Sequence, residues 1–314
     1  MGHIAEAALG QELLLEGLLA ALPSVWQHHA PTTPLYAVLK QAARREVEHL
    51  FSASVLDPKP FGPFGELLFP YHKMGAVDSL DLFGLDELII FSFYWVNRRR
   101  YRRVLDVGAN IGLHAILLSR CGYEVRAYEP DPQHFERLQA NLVLNRCTVA
   151  ETVNAAVSSR TGTMEFIRVL GNTTGSHLAG SKDNPYGELE RFQVAVEAIS
   201  PLIAWADLVK LDAEGHEKEI LLATSRTDWT KTDALVEVGS ASNAAAVFEH
   251  LKGIGVGLFS QKRNWQPVCS LEDMPTSHHE GTLFVSSKPQ MPWSWQDGEA
   301  ARTATAVTTE ERGR

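Results

Sequence analysis

The chain has 314 residues, 45% of them hydrophobic, enough for one large domain with an appendage. A formal net charge of −9 excludes a general attraction to nucleic acid or anionic membrane, and the longest apolar run, Leu88 to Val96, is far shorter than the roughly 20 residues of a membrane span. Cys121, Cys147 and Cys269 are widely spaced, give no metal pattern, and with no basic segment opening a secretory signal fit a reduced, cytoplasmic protein.

Residues 4–22 and about 34–54 carry apolar side chains at helical spacing, including Leu14, Leu18, Val47 and Leu50. From Pro58 to Gly75 the chain becomes rich in Pro, Gly and aromatics, which predicts a loop or short hairpin, either a cover that contacts substrate or a plug in the core. Residues 1–84 are therefore expected to form a mostly helical N-terminal extension or substrate cap, whose helices are also a candidate homodimer surface. A third helix is predicted from Leu85 to Asn97. The basic run Arg98 to Arg103 ends that helix and precedes a strand, so it falls at the edge of a sheet away from where α/β folds bind ligands.

The stretch Val104 to His114 reads as a strand, a glycine-rich turn and a helix start. Tight turns that let a ligand approach the backbone need glycine. The spacing is Asp106-x-Gly108-x-Asn110-x-Gly112, which fails the G-x-G-x-x-G pattern of dinucleotide sites. A carboxylate beside the turn repels a pyrophosphate but hydrogen-bonds an ammonium and favours a sulfonium, which points to S-adenosylmethionine. The next strand, Glu124 to Tyr128, ends at Glu129, near the offset at which such folds bind ribose hydroxyls. Asp131 and Pro132 then suit a helix N-cap and first helical position.

A third strand is expected over Val149 to Val157. About fifty residues without a simple βα rhythm follow, with strand-like Thr163 to Val169 and Phe192 to Ile199 flanking the polar loop Gly171 to His177, too long for a plain connection. Asp207 to Asp212, Ala234 to Val238, Val256 to Gln261 and Thr282 to Ser286 supply further strands, with helices from about His216 and over 241–252. Residues 291–314, poor in apolar side chains, are expected to be a disordered tail. The alternation predicts an α/β, doubly wound sheet whose inner strands are apolar on both faces. Asp106, Asp212 and Glu237 break that rule at strand ends. Lys210, on the same face as Asp212, needs a partner, and a Lys210–Asp212 pair joined by Glu214 satisfies it.

The run Val104 to Gly112, then Tyr128-Glu129-Pro130-Asp131, Asn141, Asn145, Asn154 to Val157, Lys210-Leu211-Asp212-Ala213-Glu214-Gly215-His216-Glu217 and Glu237 resembles the FkbM family of S-adenosylmethionine-dependent methyltransferases. The resemblance covers about residues 85–287. It implies a seven-stranded, Rossmann-like class I methyltransferase sheet, here over 85–290, and methylation of oxygen on sugars or natural products. Cofactor contacts are then expected at Asp106, Gly108, Ala109, Asn110, Gly112, Glu129, Pro130, Ala155 and Asp212. An alcohol needs a base to attack a methyl group. Asp212 with His216 is the leading pair, with Glu214, His114 and His177 as further candidates. A divalent cation on Asp212 and Glu237 is disfavoured because Lys210 already compensates the charge. Rival readings are methylation of nitrogen or of a macromolecule, a NAD-dependent dehydrogenase, and a catalytically inactive cofactor-binding interaction protein. The first lacks the Asn/Asp-Pro-Pro-aromatic turn after the fourth strand, and the second fails on glycine spacing.

Overall fold

A computed structural model describes residues 14–52, 56–147, 150–182 and 187–293, so residues 4–13 and 294–314 lie outside the described residues, and the start of the expected tail is corrected: Met291 and Trp293 are buried in the core. In chain order the helices are α1 (residues 14–21), α2 (Pro34–Phe51), α3 (Leu85–Val96), α4 (Leu113–Arg120), α5 (Pro132–Leu144), α6 (Ile199–Trp205), α7 (Glu217–Leu222) and α8 (Ala241–Gly253). The strands are β1 (Lys59–Pro60), β2 (Glu66–Leu67), β3 (Arg103–Val107), β4 (Glu124–Tyr128), β5 (Ala150–Val153), β6 (Ala156–Ser158), β7 (Gly162–Val169), β8 (His177–Leu178), β9 (Leu189–Ala198), β10 (Leu208–Leu211), β11 (Asp233–Glu237), β12 (Gly257–Ser260), β13 (Gln266–Pro267) and β14 (Thr282–Ser286).

The main sheet has the order β13-β12-β14-β11-β10-β3-β4-β5. Strands β5, β4, β3, β10 and β11 run parallel, and β14 is antiparallel between β11 and β12. Seven strands match the expectation, and the two-residue β13 adds an eighth at the edge. Side chains alternate across each strand, so Leu105, Val107, Val209, Leu211 and Val236 pack on one face with α6, α7 and α8. Val104, Val125, Ala127, Leu208 and Leu235 pack on the other with α3, α4 and the N-terminal helices.

The single third strand expected over Val149 to Val157 is corrected. The chain leaves the main sheet after Val153, and β6 joins β9, β7 and β8 in a separate four-stranded sheet. Asn154 makes the break, its side-chain amide donating to the Glu129 carbonyl at 2.8 Å. This second sheet accounts for the fifty residues without βα rhythm, because their long antiparallel pairing of β7 with β9 is not a crossover unit. Asp131 docks it. Its carboxylate caps α5 through the Gln133 amide and takes a two-pronged contact from Arg168 of β7, at 2.6 and 2.7 Å.

The N-terminal segment shares the core of the main domain. Thr33 caps α2 with Pro34 in its first turn, and Tyr36, Ala43, Val47 and Leu50 recur at helical spacing on its buried face. Phe51, Phe61, Phe69, Phe83 and Phe91 form one aromatic cluster against α3. Asn145, at the end of α5, both donates to the Leu68 carbonyl and accepts from its amide. The Pro58 to Gly75 stretch is the short hairpin β1–β2 followed by a loop bound to the second sheet. There Gly75 (φ 97°) lies so close to Gly171 that a Cβ would sit 2.2 Å from its carbonyl oxygen.

Candidate active site

The turn after β3 is set by its neighbours. Gly108 has φ 76°, and a Cβ there would lie 1.7 Å from the Asp212 carbonyl oxygen, so the close approach of two strand ends already demands glycine. The Gly108 and Ala109 amides donate to the Tyr128 carbonyl, each at 3.0 Å, and the Asn110 amide donates to Glu129 Oε2 at 2.8 Å. The other Glu129 oxygen accepts from the Asp131 amide at 2.8 Å. Burial pushes Glu129 up to about 8, opposed by those two amides, which favour the charged form.

Two cavities meet at this edge of the sheet. The first lies between the turn, the end of β4, β6 and the loop before β8. Of the expected cofactor residues, Gly108, Asn110, Glu129, Pro130, Ala155 and Asp212 line it. Asp106, Ala109 and Gly112 do not. Ala109 is buried with its amide spent on β4, Gly112 packs against Leu138, and Asp106 is fully buried on the opposite side of its strand. The second, larger cavity lies between α2, the segment before α3, and the ends of β10 and β11, with Glu87, Glu237, His278 and His279 in its wall. Asn110, Thr174, His177, Asp212 and Glu214 line both and mark the junction.

Below the junction lies a buried charge network. Lys210 Nζ is 3.3 Å from Asp212 Oδ2 and 3.9 Å from Asp106 Oδ1, and donates to the Gly108 carbonyl at 3.2 Å. The expected Lys210–Asp212 pair is therefore present, but Glu214 is not its third member: Glu214 pairs with Lys182 at 2.6 Å. Burial alone lowers a lysine, yet Asp212, Asp106, Glu87 and Glu237 outweigh it and raise Lys210. Burial raises Asp106 despite Lys210 and His114. Asp212 and then burial lift Glu237 well above the carboxylate range, and burial and Asp212 take Glu214 up to about 7.

The histidines are placed differently from expectation. His216 does not meet Asp212: its Nε2 is 2.8 Å from Ser158 Oγ and its Nδ1 2.9 Å from Ser181 Oγ, so both nitrogens are engaged. A serine hydroxyl on each side satisfies the buried ring without a carboxylate. His114 lines neither cavity, because α4 turns it towards Tyr94 (2.9 Å) and Glu87 (3.0 Å) on α3. Glu217 is structural in position, accepting from the Ala213 and Gly215 amides at 2.7 and 3.0 Å. Thr173 and Ser176 of the first cavity lie in the polar loop Gly171 to His177 that the sequence marked by its length, whereas His134 of the first cavity and His278 and His279 of the second carried no motif signal. Among the described residues, no group of three or more His, Cys, Asp or Glu side chains is placed to hold a metal ion.

The first cavity fits S-adenosylmethionine on its own chemistry. Val107, Ala155, Val157, Phe166 and Leu178 offer an apolar slot, Glu129 a carboxylate at a strand end, and Asp212 and Glu214 negative charge. Asn110 Oδ1 is a buried acceptor with no partner among the described residues. The sheet order, with β14 reversed between β11 and β12, is that of class I S-adenosylmethionine-dependent methyltransferases. Residues 106–254 match the family model described as "Methyltransferase FkbM domain". The chain thus carries, over that span, a domain of the FkbM family of these enzymes.

The chain is 29% identical over 195 residues to 31-O-demethyl-FK506 methyltransferase FkbM of Streptomyces tacrolimicus, covering 51% of this chain and 74% of that protein. It is 30% identical over 133 residues to hexuronic acid methyltransferase AglP of Haloferax volcanii, covering 42% of this chain and 54% of that protein. Among solved structures, methyltransferase FkbM from Methylobacillus flagellatus KT is similar at 18% identity, over 59% of this chain and 43% of that chain, with a TM-score of 0.35.

Proposed function

We propose that this protein transfers a methyl group from S-adenosylmethionine to a hydroxyl of a carbohydrate or other polyhydroxylated small molecule. The observation that carries this reading is the junction of the two cavities at Asp212, where a cofactor in the first would meet an acceptor in the second. Gly108, Asn110, Glu129 and Ala155 would hold the cofactor, which supplies an electrophilic methyl group on a sulfonium. The chain contributes position and charge: in-line displacement depends on alignment and exclusion of water more than on covalent help. Lys210 fixes one Asp212 oxygen, leaving the other to orient an acceptor hydroxyl. The relatives' printed substrates, 31-O-demethyl-FK506 and a hexuronic acid, support an oxygen acceptor.

Calorimetry with S-adenosylhomocysteine and NAD, followed by a methyl-transfer assay on D-glucuronic acid and D-glucose, tests the reading. Binding of S-adenosylhomocysteine but not NAD, with methylation of a sugar hydroxyl, is expected. Preferential NAD binding, or transfer only to amines, would sink it. Asp212→Asn, by misplacing the acceptor hydroxyl, should keep cofactor affinity within a few-fold and lower turnover by about 10²-fold.

A further inference from the structure

We propose that His177 is the proton acceptor of the reaction, its Nε2 taking the proton from the acceptor hydroxyl. This rests on the proposed function and deepens it.

Among the described residues, His177 is the only histidine that lines both cavities. Its Nδ1 is 3.0 Å from the Gly175 carbonyl. A carbonyl can only accept, so the ring hydrogen of the neutral imidazole sits on Nδ1. Nε2 then carries a bare lone pair, and it has no hydrogen-bond partner among the described residues. The residue is 2% exposed, so this basic atom is kept from bulk water at the place where transfer would occur. An unsatisfied acceptor this deeply buried needs an explanation, and an incoming hydroxyl gives one.

Of the other histidines near the site, His216, His114 and His134 are already committed, and His278 and His279 line the second cavity alone. Both nitrogens of His216 face serine hydroxyls, both of His114 face Tyr94 and Glu87, and His134 Nε2 is 3.0 Å from Thr173 Oγ1. Sheet pairing holds His177 in place, since β8 sets it opposite Ile167 of β7. The balance is simple. The acceptor oxygen forms the new bond to the methyl carbon, the carbon–sulfur bond breaks with its pair left on sulfur, and the hydroxyl proton moves to Nε2. One positive charge is lost at sulfur and one appears on the imidazole. Asp212 and Glu214 supply negative charge to the same cavity walls, while Lys182 and Arg191 oppose the new imidazolium. Burial, with those two cations, lowers the basicity of His177, so the proton is readily given up to water when products leave.

The test uses the full chain in two arms. In ¹⁵N-histidine NMR of the S-adenosylhomocysteine complex near neutral pH, His177 should show a protonated Nδ1 and an unprotonated Nε2; a proton on Nε2 overturns the proposal. In the second arm, His177→Gln and His177→Asn should bind S-adenosylhomocysteine within a few-fold of wild type, lose about 10²-fold in kcat with little change in KM, and lose the acidic limb of the pH–rate profile. Retained kcat in either folded variant overturns the base role. A large loss of S-adenosylhomocysteine affinity also overturns it, since Nε2 would then be a cofactor contact. The NMR arm needs no acceptor, so a wild-type protein that binds cofactor yet methylates nothing counts against the proposed function while the tautomer still decides the role of His177.

Discussion

Glu237 ends β11 among Asp212, Glu87 and Glu214, and those like charges, with burial, hold it protonated far above the usual range. Glu214 titrates near 7 for related reasons. As pH rises through that value the cleft gains negative charge, which attracts a sulfonium but has no such hold on a neutral thioether. The preference for S-adenosylmethionine over S-adenosylhomocysteine is therefore expected to widen between about pH 6 and pH 8. Paired titrations at several pH values check this, and a preference that narrows would show that these carboxylates do not face the sulfonium. The same residues carry a stability consequence of definite sign. Their folded pKa is raised, so they favour the native state at low pH, and that contribution is lost as pH climbs from the unfolded carboxylate value towards 7. Glu217, raised to about 7 by burial and Asp212, acts in the same window.

At the scale of elements, a buried ion pair ties the second sheet to the N-cap of α5. Arg168 is 4% exposed and spans from Asp131, itself 1% exposed, to Glu190. Although burial acts to raise Asp131, the Arg168 contact and the α5 amides bring it below its ordinary value. Arg168→Met leaves a buried carboxylate unpaired, and such changes cost about 3–5 kcal/mol. We expect chemical denaturation of this variant to show a loss of that order; a loss below about 1 kcal/mol would show that Asp131 finds compensation from its helix alone. Where the sequence was legible and where it was not follows the same division. The β3 turn, the Asp131 cap and the strand-end acids are local patterns, so residue types alone located them. The exit from the sheet at Asn154 depends on a side-chain contact to Glu129 twenty-five residues away, and His216 depends on Ser158 and Ser181, both distant in sequence. Spacing along the chain carries no record of such partners.

The whole molecule has one continuous core on the face of β3 and β4 that meets α3. Leu15, Leu19, Phe51, Phe61 and Phe83 from the N-terminal segment lie in the same cluster as Ile89, Ile116 and Val125. The segment is outside the span of the family match yet inseparable in packing. A chain beginning at residue 85 would expose Phe91 and Leu88, each 0% exposed in the intact protein. Fully burying one such side chain is worth about 1.5–3 kcal/mol. That truncation is therefore expected to lower the melting temperature sharply or to prevent recovery of monodisperse protein. A fragment as stable as the full chain would show the segment to be a removable cap.

The contact of Gly75 with Gly171 joins the loop before α3 to the loop between β7 and β8. Met74 accepts from the Thr173 amide and the Ala76 amide donates to Gly171, so the two loops form a single backbone seam. In evolutionary terms, the smaller cavity is lined wholly from within the matched domain, whereas part of the larger one, from Lys40 to Glu87, comes from chain outside it. On the proposed function, new acceptors could then be explored by altering α2 and the segment after residue 76 while the cofactor slot stays constant. The seam limits that freedom: a graft that replaces Gly75 with any larger residue pushes on Gly171 and distorts the loop bearing Thr173 and His177. Diversification is thus confined to either side of a hinge point that must itself stay small.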